Sequence, residues 1–432
     1  MAGKERWDNV CTEGNTCALT GAAAFFAGIP DAAMVVNGPL WCYFYALRYL
    51  EKSCPNISNR LFCTQTDHTA VVYGTEEYLL EVLQSLRQSS RPAVLLIENS
   101  CAVSLIGDDL AGIAAQADMP CPVVCMDSGG LIGGFWEGYR TAAKAYLAAM
   151  PLKSRGQVEP HTVNLLGGTA GYYNAANDIQ ELQRILELAG YQVLACPGAG
   201  SSTEEIAAMT RAELNLVIHQ ELGQDMALFL QREYGMPYLA LLPPYGLEGS
   251  RLWLKTIGQT LGRGEQSLPA VQREIDSLYG RLRPATRELQ RQWGELWFER
   301  TLIAAPSSVA FGLAQALYTE WADTGPLTVV AQGGIPSYPA PTGLDTLLDG
   351  QTDSPAVARQ LAAMRAGLLL ASSNETAILQ QRAAPAVICQ NIALPVYDEV
   401  ILTELPFMGL RGACHMTERL WNQYIRCCLG GK

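Results

Sequence analysis

The stretch Ala93-Val94-Leu95-Leu96-Ile97-Glu98-Asn99-Ser100-Cys101-Ala102-Val103-Ser104-Leu105-Ile106-Gly107-Asp108-Asp109-Leu110 sets the terms for the whole chain. Ala93–Ile97 is an unbroken apolar run of strand length, ending at polar turn formers. Such a run reads as a strand buried on both faces, the kind that parallel sheets require. The strand is placed at residues 92–97, and a cysteine stands just beyond its end.

The same alternation of apolar runs and amphipathic stretches continues on both sides. Val123–Asp127 reads as the next strand, with a helix over Gly138–Met150 after a Gly-rich loop. Pro151–Pro160 is polar and carries two prolines, as a linker does. A second unit opens with strand Val163–Leu166, loop Gly167–Gly171 and helix Asp178–Leu188, followed by strands at Tyr191–Ala195 and Leu214–Ile218. Residues 250–300 are charged and helix-rich, with helices expected at Val271–Tyr279 and Thr286–Phe298. A third unit has strands at Leu302–Ala304, Leu327–Ala331, Gly367–Ala371 and Ala386–Cys389. The expectation is three stacked Rossmann-like αβα domains with parallel sheets. Their boundaries fall at 1–155 plus 391–432, at 156–250, and at 301–390, with 251–300 as a helical connector. The C-terminal helix is expected to return to and complete the first domain.

Composition agrees with large buried cores. The chain has 432 residues, 49% of them hydrophobic and 17% charged, which suits about two to four domains rather than extended disorder. A formal charge of −12 argues against nucleic-acid and membrane-surface binding, both of which want basic patches. Residues 1–17 contain no apolar core of a signal peptide, so a cytoplasmic location is expected. Thirteen cysteines without an export signal argue against a disulfide framework, leaving metal binding, redox chemistry and plain burial in competition.

Three cysteines stand where the chain should turn. Cys17 opens Cys17-Ala18-Leu19-Thr20-Gly21-Ala22, Cys42 closes Asn37-Gly38-Pro39-Leu40-Trp41-Cys42, and Cys101 follows the strand quoted above. A thiolate on a Gly/Pro-rich turn can reach a cluster iron, with backbone N–H groups stabilising the sulfurs. The spacing is too wide for a zinc ribbon or a ferredoxin run, and buried free cysteine is the competing reading.

These segments resemble the cluster-ligand segments of the nitrogenase component 1 family: Cys-x-x-x-Gly-Ala, Gly-Pro-x-x-Cys, and a cysteine leading into Leu105-Ile106-Gly107-Asp108-Asp109-Leu110. The resemblance extends through Asn174-x-x-Asn177-Asp178-x-x-Glu181-Leu182, Ala189–Val193, Thr203–Ile206, Ala212–Val217 and Tyr234–Pro237 to Gly409-Leu410-Arg411-Gly412. It implies that Cys17, Cys42 and Cys101 hold an iron–sulfur cluster, 4Fe-4S or larger and P-cluster-like, near a subunit interface. It also implies a second component 1 subunit, in a homodimer or heterodimer, and a separate ATP-hydrolysing iron protein as electron donor. Consistently, the chain contains no Gly-x-x-x-x-Gly-Lys-[Ser/Thr] loop of its own.

The sequence departs from the nitrogenase α subunit at its large cofactor. In that family's pattern a cysteine follows the Leu-Asn-Leu-Val strand and a histidine lies in the C-terminal segment. Here His219 and Met408 fall at those places, which argues against dinitrogen reduction with a standard iron–molybdenum cofactor. His219 is then a candidate catalytic residue, a proton donor or a ligand of a second metal centre, against the plainer reading of a hydrogen-bonded strand-end residue. Met408 reads as packing. Cys11, Cys54 and Cys63 are additional cysteines able to approach a cluster; Cys121, Cys125, Cys196, Cys389, Cys414, Cys427 and Cys428 read as core or surface thiols. Asp108 and Asp109 read as capping and loop structure. The Gly-rich stretch Ser128–Phe135 reads as an anion-friendly loop, which the family resemblance implies is a substrate-pocket element, while Gly167–Gly171 fails the dinucleotide-loop spacing. The function expected is a cluster-binding subunit of a nitrogenase-like reductase acting on a small molecule. The alternative is a cofactor-assembly scaffold that holds a metal cluster without turnover. A tetrapyrrole or metal-chelate binder without a redox role is a third possibility, disfavoured by the three cysteines.

Overall fold

The computed structural model describes residues 16–130, 133–264, 268–381 and 386–430. Fifteen strands build three large sheets and one small one among these residues. The first large sheet contains β1 (Ala32–Asn37), β2 (Leu61–Cys63), β3 (Val94–Asn99) and β4 (Val123–Asp127), in the order β2-β1-β3-β4. The second contains β5 (Glu159–Leu166), β6 (Gln192–Ala195), β7 (Ala212–Val217) and β8 (Tyr238–Ala240), ordered β6-β5-β7-β8. In the third unit β9 (Trp297–Phe298) and β11 (Asp323–Thr324) form the small sheet. The large sheet there runs β13 (Leu344–Asp349), β12 (Leu327–Gln332), β10 (Thr301–Pro306), β14 (Ala366–Ala371) and β15 (Ala386–Asn391). Every strand pairing is parallel. The protein is thus an α/β fold of parallel sheets, as its buried apolar runs require: all six residues of β1, β3, β10 and β12 are buried.

Parallel strands need crossover connections, and helices supply them. One helix pair positions the first site. Helices Ala18–Ala27 and Phe135–Ala149 touch backbone to backbone: a Cβ on Gly21 would lie 1.9 Å from the Phe135 carbonyl oxygen, and one on Gly138 equally close to that of Ala18. This contact locks the turn before the first helix against the loop before the second.

Two features differ from expectation. The charged segment folds as one helix, Pro269–Trp293, running through Pro284, with Trp297–Phe298 turned into a strand. A proline ring collides chiefly with the carbonyl one turn back, which here belongs to Gly280, a residue without a side chain to add to the crowding. The C-terminal helix Gly409–Gly430 packs against helices Ala175–Leu188, Leu247–Thr260 and Pro269–Trp293 and against β15, where the sequence suggested the first unit. No helix among the described residues is long and apolar enough to cross a membrane.

Candidate functional site: a cysteine cluster and a buried cavity

The ends of the first sheet's strands are stitched together by amides. The Asn37 amide donates to Asn99 Oδ1 (2.9 Å) and Thr75 Oγ1 (3.0 Å), the Asn99 amide donates to Asp127 (2.8 Å), and the Thr64 hydroxyl donates back to Asn37 (3.1 Å). This buried ladder fixes the loops that follow β1 and β3, which carry two of the three cysteines. Asp108 takes the backbone N–H and hydroxyl of Thr75 (2.6 and 2.8 Å), and Asp109 caps helix Leu110–Gln116. Both are structural, as read from sequence.

On this frame the three cysteines converge from separate elements. Cys17 is the N-cap of helix Ala18–Ala27 and forms a backbone bridge with Gly134. Cys101 opens helix Cys101–Ile106, and its sulfur accepts the Gly130 N–H at 2.9 Å. Gly130 lies between them: a Cβ there would meet Cys17 Cβ at 3.1 Å and Cys101 Sγ at 3.6 Å, and one on Gly129 would press on the Cys101 backbone at 2.8 Å. Cys42 sits in the first turn of helix Leu40–Leu50. Burial, then the charges of Cys17, Cys101, Cys63 and Glu98, push its thiol up to about 11. The groups named here as acting on Cys42 are thiols and a carboxyl, so none of them favours its thiolate in the metal-free chain.

Glu98, at the end of β3, carried no sequence signal. It is fully buried; one oxygen accepts the Ser128 hydroxyl at 2.7 Å and the other has no partner. Desolvation raises its carboxyl to about 8, with the Ser128 hydrogen bond pulling the other way. No three His, Cys, Asp or Glu side chains among the described residues close on a single ion. A cluster makes a different demand, one thiolate per iron with N–H donors to sulfur. Thiols from three elements, a backbone N–H on Cys101 and acidic surroundings fit that demand.

The remaining cysteines separate by position. Cys63 ends β2 beside this group, with its thiol on the Gly38 carbonyl (3.4 Å). Cys54 points inward to the Ala27 carbonyl (3.6 Å), and Cys196 is buried in the core. Cys121, Cys125 and Cys389 pack at the edges of smaller cores, and Cys414 and Cys427 against the main one. Cys11, and Leu131 and Ile132 of the Gly-rich stretch, lie outside the described residues. The described part of that stretch divides: Gly129 and Gly130 meet the cysteines, and Phe135 lines a second site.

The second site is a partly open cavity of about 30 Å³ where the three units meet, lined among others by Trp136, Tyr172, His219, Val309, Gln332 and Met408. His219 and Met408 thus do come to one cavity. His219 follows β7 and starts helix Gln220–Tyr234, and its backbone oxygen is crowded by the tight Gly167 turn. Its Nδ1 lies 2.7 Å from Ser308 Oγ; the Ser308 hydroxyl donates to Glu221 at 2.8 Å, and so does Tyr172 at 2.9 Å, itself receiving the Trp136 indole N–H at 2.9 Å. Because the Ser308 proton is committed to Glu221, the imidazole must donate from Nδ1, which leaves Nε2 bare as an acceptor. Burial lowers His219 to about 3, so it stays neutral at ordinary pH and its single ring proton is taken up by the Ser308 contact. Met408 is held by its N–H and that of Phe407 on Asp178 (2.9 and 2.6 Å). A water occupies roughly 10–15 Å³ by this measure, so the cavity matches about two waters and does not fit a large metal cofactor.

The parallel-sheet architecture and the convergent cysteines define a class, and comparison with known proteins names it. The nitrogenase component 1 type oxidoreductase family matches residues 17–425, and the chain belongs to that family. Among its relatives is the nitrogenase iron-molybdenum cofactor biosynthesis protein NifE of Methanosarcina barkeri, 27% identical over 259 residues, 58% of this chain and 56% of the relative. The nitrogenase molybdenum-iron protein alpha chain of Clostridium pasteurianum is 27% identical over 234 residues, 52% and 43% of the two chains. The match thus spans about half the length of these curated relatives. The solved structure "Nitrogenase Cp1 at pH 5" superposes with a TM-score of 0.76 at 19% identity, covering 95% of this chain and 88% of that one. That likeness establishes the fold.

Proposed function

We propose that the chain is the iron–sulfur cluster-binding subunit of a nitrogenase-like reductase, with Cys17, Cys42 and Cys101 as cluster ligands. The observation that carries this reading is that Cys17 and Cys101, from separate elements, meet at Gly130, with Cys42 on a third element close enough to feel both. When bound, an iron–sulfur cluster supplies one-electron storage at that point. The chain's own residues do the rest. Gly130 donates its N–H to the Cys101 sulfur, the Asn37–Asn99 ladder holds the ligand loops, and Glu98 adds a buried acid behind Cys42.

A neighbouring apolar face supports a second subunit over the cysteines. The helix carrying Cys42 exposes Leu40, Trp41, Phe44 and Tyr45, and the helix carrying Cys101 exposes Leu105. Electrons would come from a separate ATP-hydrolysing iron protein, as the family membership suggests. In this reading the bare Nε2 of His219, left free by its Ser308 contact, is an acceptor at a cavity with room for about two waters, where it can take a hydrogen bond from a water or from a small donor group of the substrate. A cofactor-assembly scaffold is the second reading, and similarity to NifE favours it. The cavity at His219 weighs the other way, since a large cluster has no room there.

The test is iron and acid-labile sulfide content with EPR after dithionite, on anaerobically purified wild type and Cys101→Ala. Iron and a reduced-cluster signal in wild type, both lost in the variant, are expected. An iron-free wild type after anaerobic reconstitution, or an unchanged variant, would sink the cluster assignment. ATP-dependent turnover of a substrate with an added iron protein separates reductase from scaffold.

A further inference from the structure

Behind His219 Nδ1 stands a carboxyl, one hydroxyl away. We propose that Glu221 stores the proton that His219 passes into the cavity, with the Ser308 hydroxyl as the link between them. The inference rests on the reading of the cavity as a substrate site and deepens it by naming the proton source.

The fold lays this chain out across two units. His219 is the N-cap of helix Gln220–Tyr234 and Glu221 lies in that helix's first turn. Ser308, in the first turn of helix Ser307–Ala316, joins them: its oxygen lies 2.7 Å from His219 Nδ1 and 2.8 Å from Glu221 Oε1. Tyr172 donates to the same Oε1 at 2.9 Å. His219, Glu221 and Ser308 are all buried. Among the described residues, His219 and Tyr172 line the cavity and Glu221 does not, so a proton held at Glu221 reaches the cavity through Ser308 and the ring.

Such a chain has two settings, because a hydroxyl can turn and a neutral imidazole can carry its proton on either nitrogen. With Glu221 ionised, Ser308 donates to the carboxylate, His219 donates from Nδ1, and Nε2 is bare. With Glu221 protonated, each bond turns round: the carboxyl donates to Ser308, Ser308 donates to Nδ1, and the ring proton stands on Nε2. When that Nε2–H bond breaks in favour of a group in the cavity, Nδ1 takes the Ser308 proton and Ser308 takes the one from Glu221. The cavity group gains one proton, Glu221 loses one, the imidazole is neutral before and after, and no electron moves within the chain. The same chain run backwards from water in the partly open cavity restores the carboxyl.

The surroundings suit a store at Glu221 and not at the ring. Burial holds His219 neutral, whereas burial is the first cause raising the Glu221 carboxyl, opposed by hydrogen bonds from its own backbone N–H and nearby hydroxyls. Glu221 Oε2 is buried without a hydrogen-bond partner, a position that the oxygen of a neutral carboxyl tolerates better than that of a carboxylate. The phenols of Tyr245 and Tyr338 face it from other loops and feel its charge. Arg140 donates to the Glu221 backbone oxygen at 3.3 Å but pairs its charge with Glu137 and Asp225.

The full chain, prepared metal-free with nitrogen-15 histidine, reports the His219 tautomer by NMR, and the spectrum of His219→Gln assigns its signals. As pH rises, the wild-type ring should switch from Nε2–H to Nδ1–H without passing through the doubly protonated form. The infrared band of the protonated Glu221 carboxyl should vanish over the same range. Glu221→Gln should remove that band and hold the ring on Nδ1 at every pH, since an amide oxygen accepts from Ser308 without titrating. Ser308→Ala should keep the band while the ring no longer follows it, and it decides the matter if circular dichroism shows Glu221→Gln unfolded. A wild-type ring fixed on one nitrogen across the folded range, or a switch that survives in either folded variant, overturns the relay. No cluster is needed for this measurement, so a failed relay leaves the Cys101→Ala result intact. An iron-free wild type would in turn remove the reductase reading and leave a measured switch standing.

Discussion

Glu98 and His219 are buried groups whose titration runs in opposite directions. Burial raises Glu98 from 4.5 to about 8 in the fold. Below pH 4.5 both folded and unfolded chains keep the proton; above it the unfolded chain releases its proton first, and stability falls until the folded group ionises near 8. In the iron-free chain, Glu98→Gln should flatten that decline and leave the variant more stable than wild type at pH 8, by up to about 5 kcal/mol for a shift of this size. His219 moves from 6.5 down to about 3, so its contribution is whole above 6.5 and is lost as pH falls through that window. His219→Gln should therefore flatten the acid limb alone. Urea unfolding across pH reads both, and an acid limb unchanged by His219→Gln would show that the imidazole is not held neutral. The sequence exposed these sites unequally. Cys17, Cys42 and Cys101 stood on turns that any reader could mark. Ser308 and Tyr172 lie tens of residues from His219, and Glu221, though two residues on, joins the network only through them, so nothing local announces it. Glu98 reads as a solvated strand end until β4 and the Ser128 loop close over it.

At the scale of elements, the pairing of helices Ala18–Ala27 and Phe135–Ala149 sets the distance between Cys17 and Gly130. Gly138→Ala would drive a Cβ to 1.9 Å from the Ala18 oxygen, and a backbone atom cannot step aside as a side chain can. Overpacking of this kind costs about 1–3 kcal/mol or more, and the separation forced on the helices should also lower iron uptake at the cysteines. Gly156→Ala, with nothing within 4 Å, should change stability by no more than about 0.5 kcal/mol. Denaturant midpoints and iron content on the two variants check this, and equal midpoints would show that the helices part freely. Strands were legible where the apolar run was long: Leu327–Gln332 and Ala366–Ala371 match their expected places within a residue. The strand Ala32–Asn37 went unmarked because it follows the alanine-rich helix without a polar break beyond Pro30-Asp31. Leu344–Asp349 hid behind its acidic residues, Asp345 serving as acceptor for the Leu327 N–H. Pro284 suggested two helices where tertiary packing keeps one.

At the scale of the molecule, the face beside the cysteines is unlike the rest of the surface. Trp41 is 69% exposed and Tyr45 67%, and their rings cluster with Phe44 on the helix that carries Cys42. The helix His68–Tyr73 packs against Cys101–Ile106 and adds Tyr73, 83% exposed, near Leu105 at 75%. Large aromatic side chains left in water beside one another forgo burial that a partner would provide, and such patches mark protein interfaces. The net charge of −12 opposes self-association in general, so any dimer must form through a face where apolar contact outweighs repulsion. The purified chain is accordingly expected to associate through this face, with itself or with a second family member. Central aromatic residues dominate such interfaces, and loss of one costs about 2 kcal/mol or more, roughly thirtyfold in affinity. Trp41→Glu should thus shift sedimentation equilibrium from dimer toward monomer while circular dichroism stays unchanged, because its side chain is mostly in water in the single chain. Arg287→Glu, on the charged helix Pro269–Trp293, should leave the equilibrium where it was. A dimer that survives Trp41→Glu and Tyr45→Glu together would place the interface elsewhere and leave the cysteine face open to the electron donor instead.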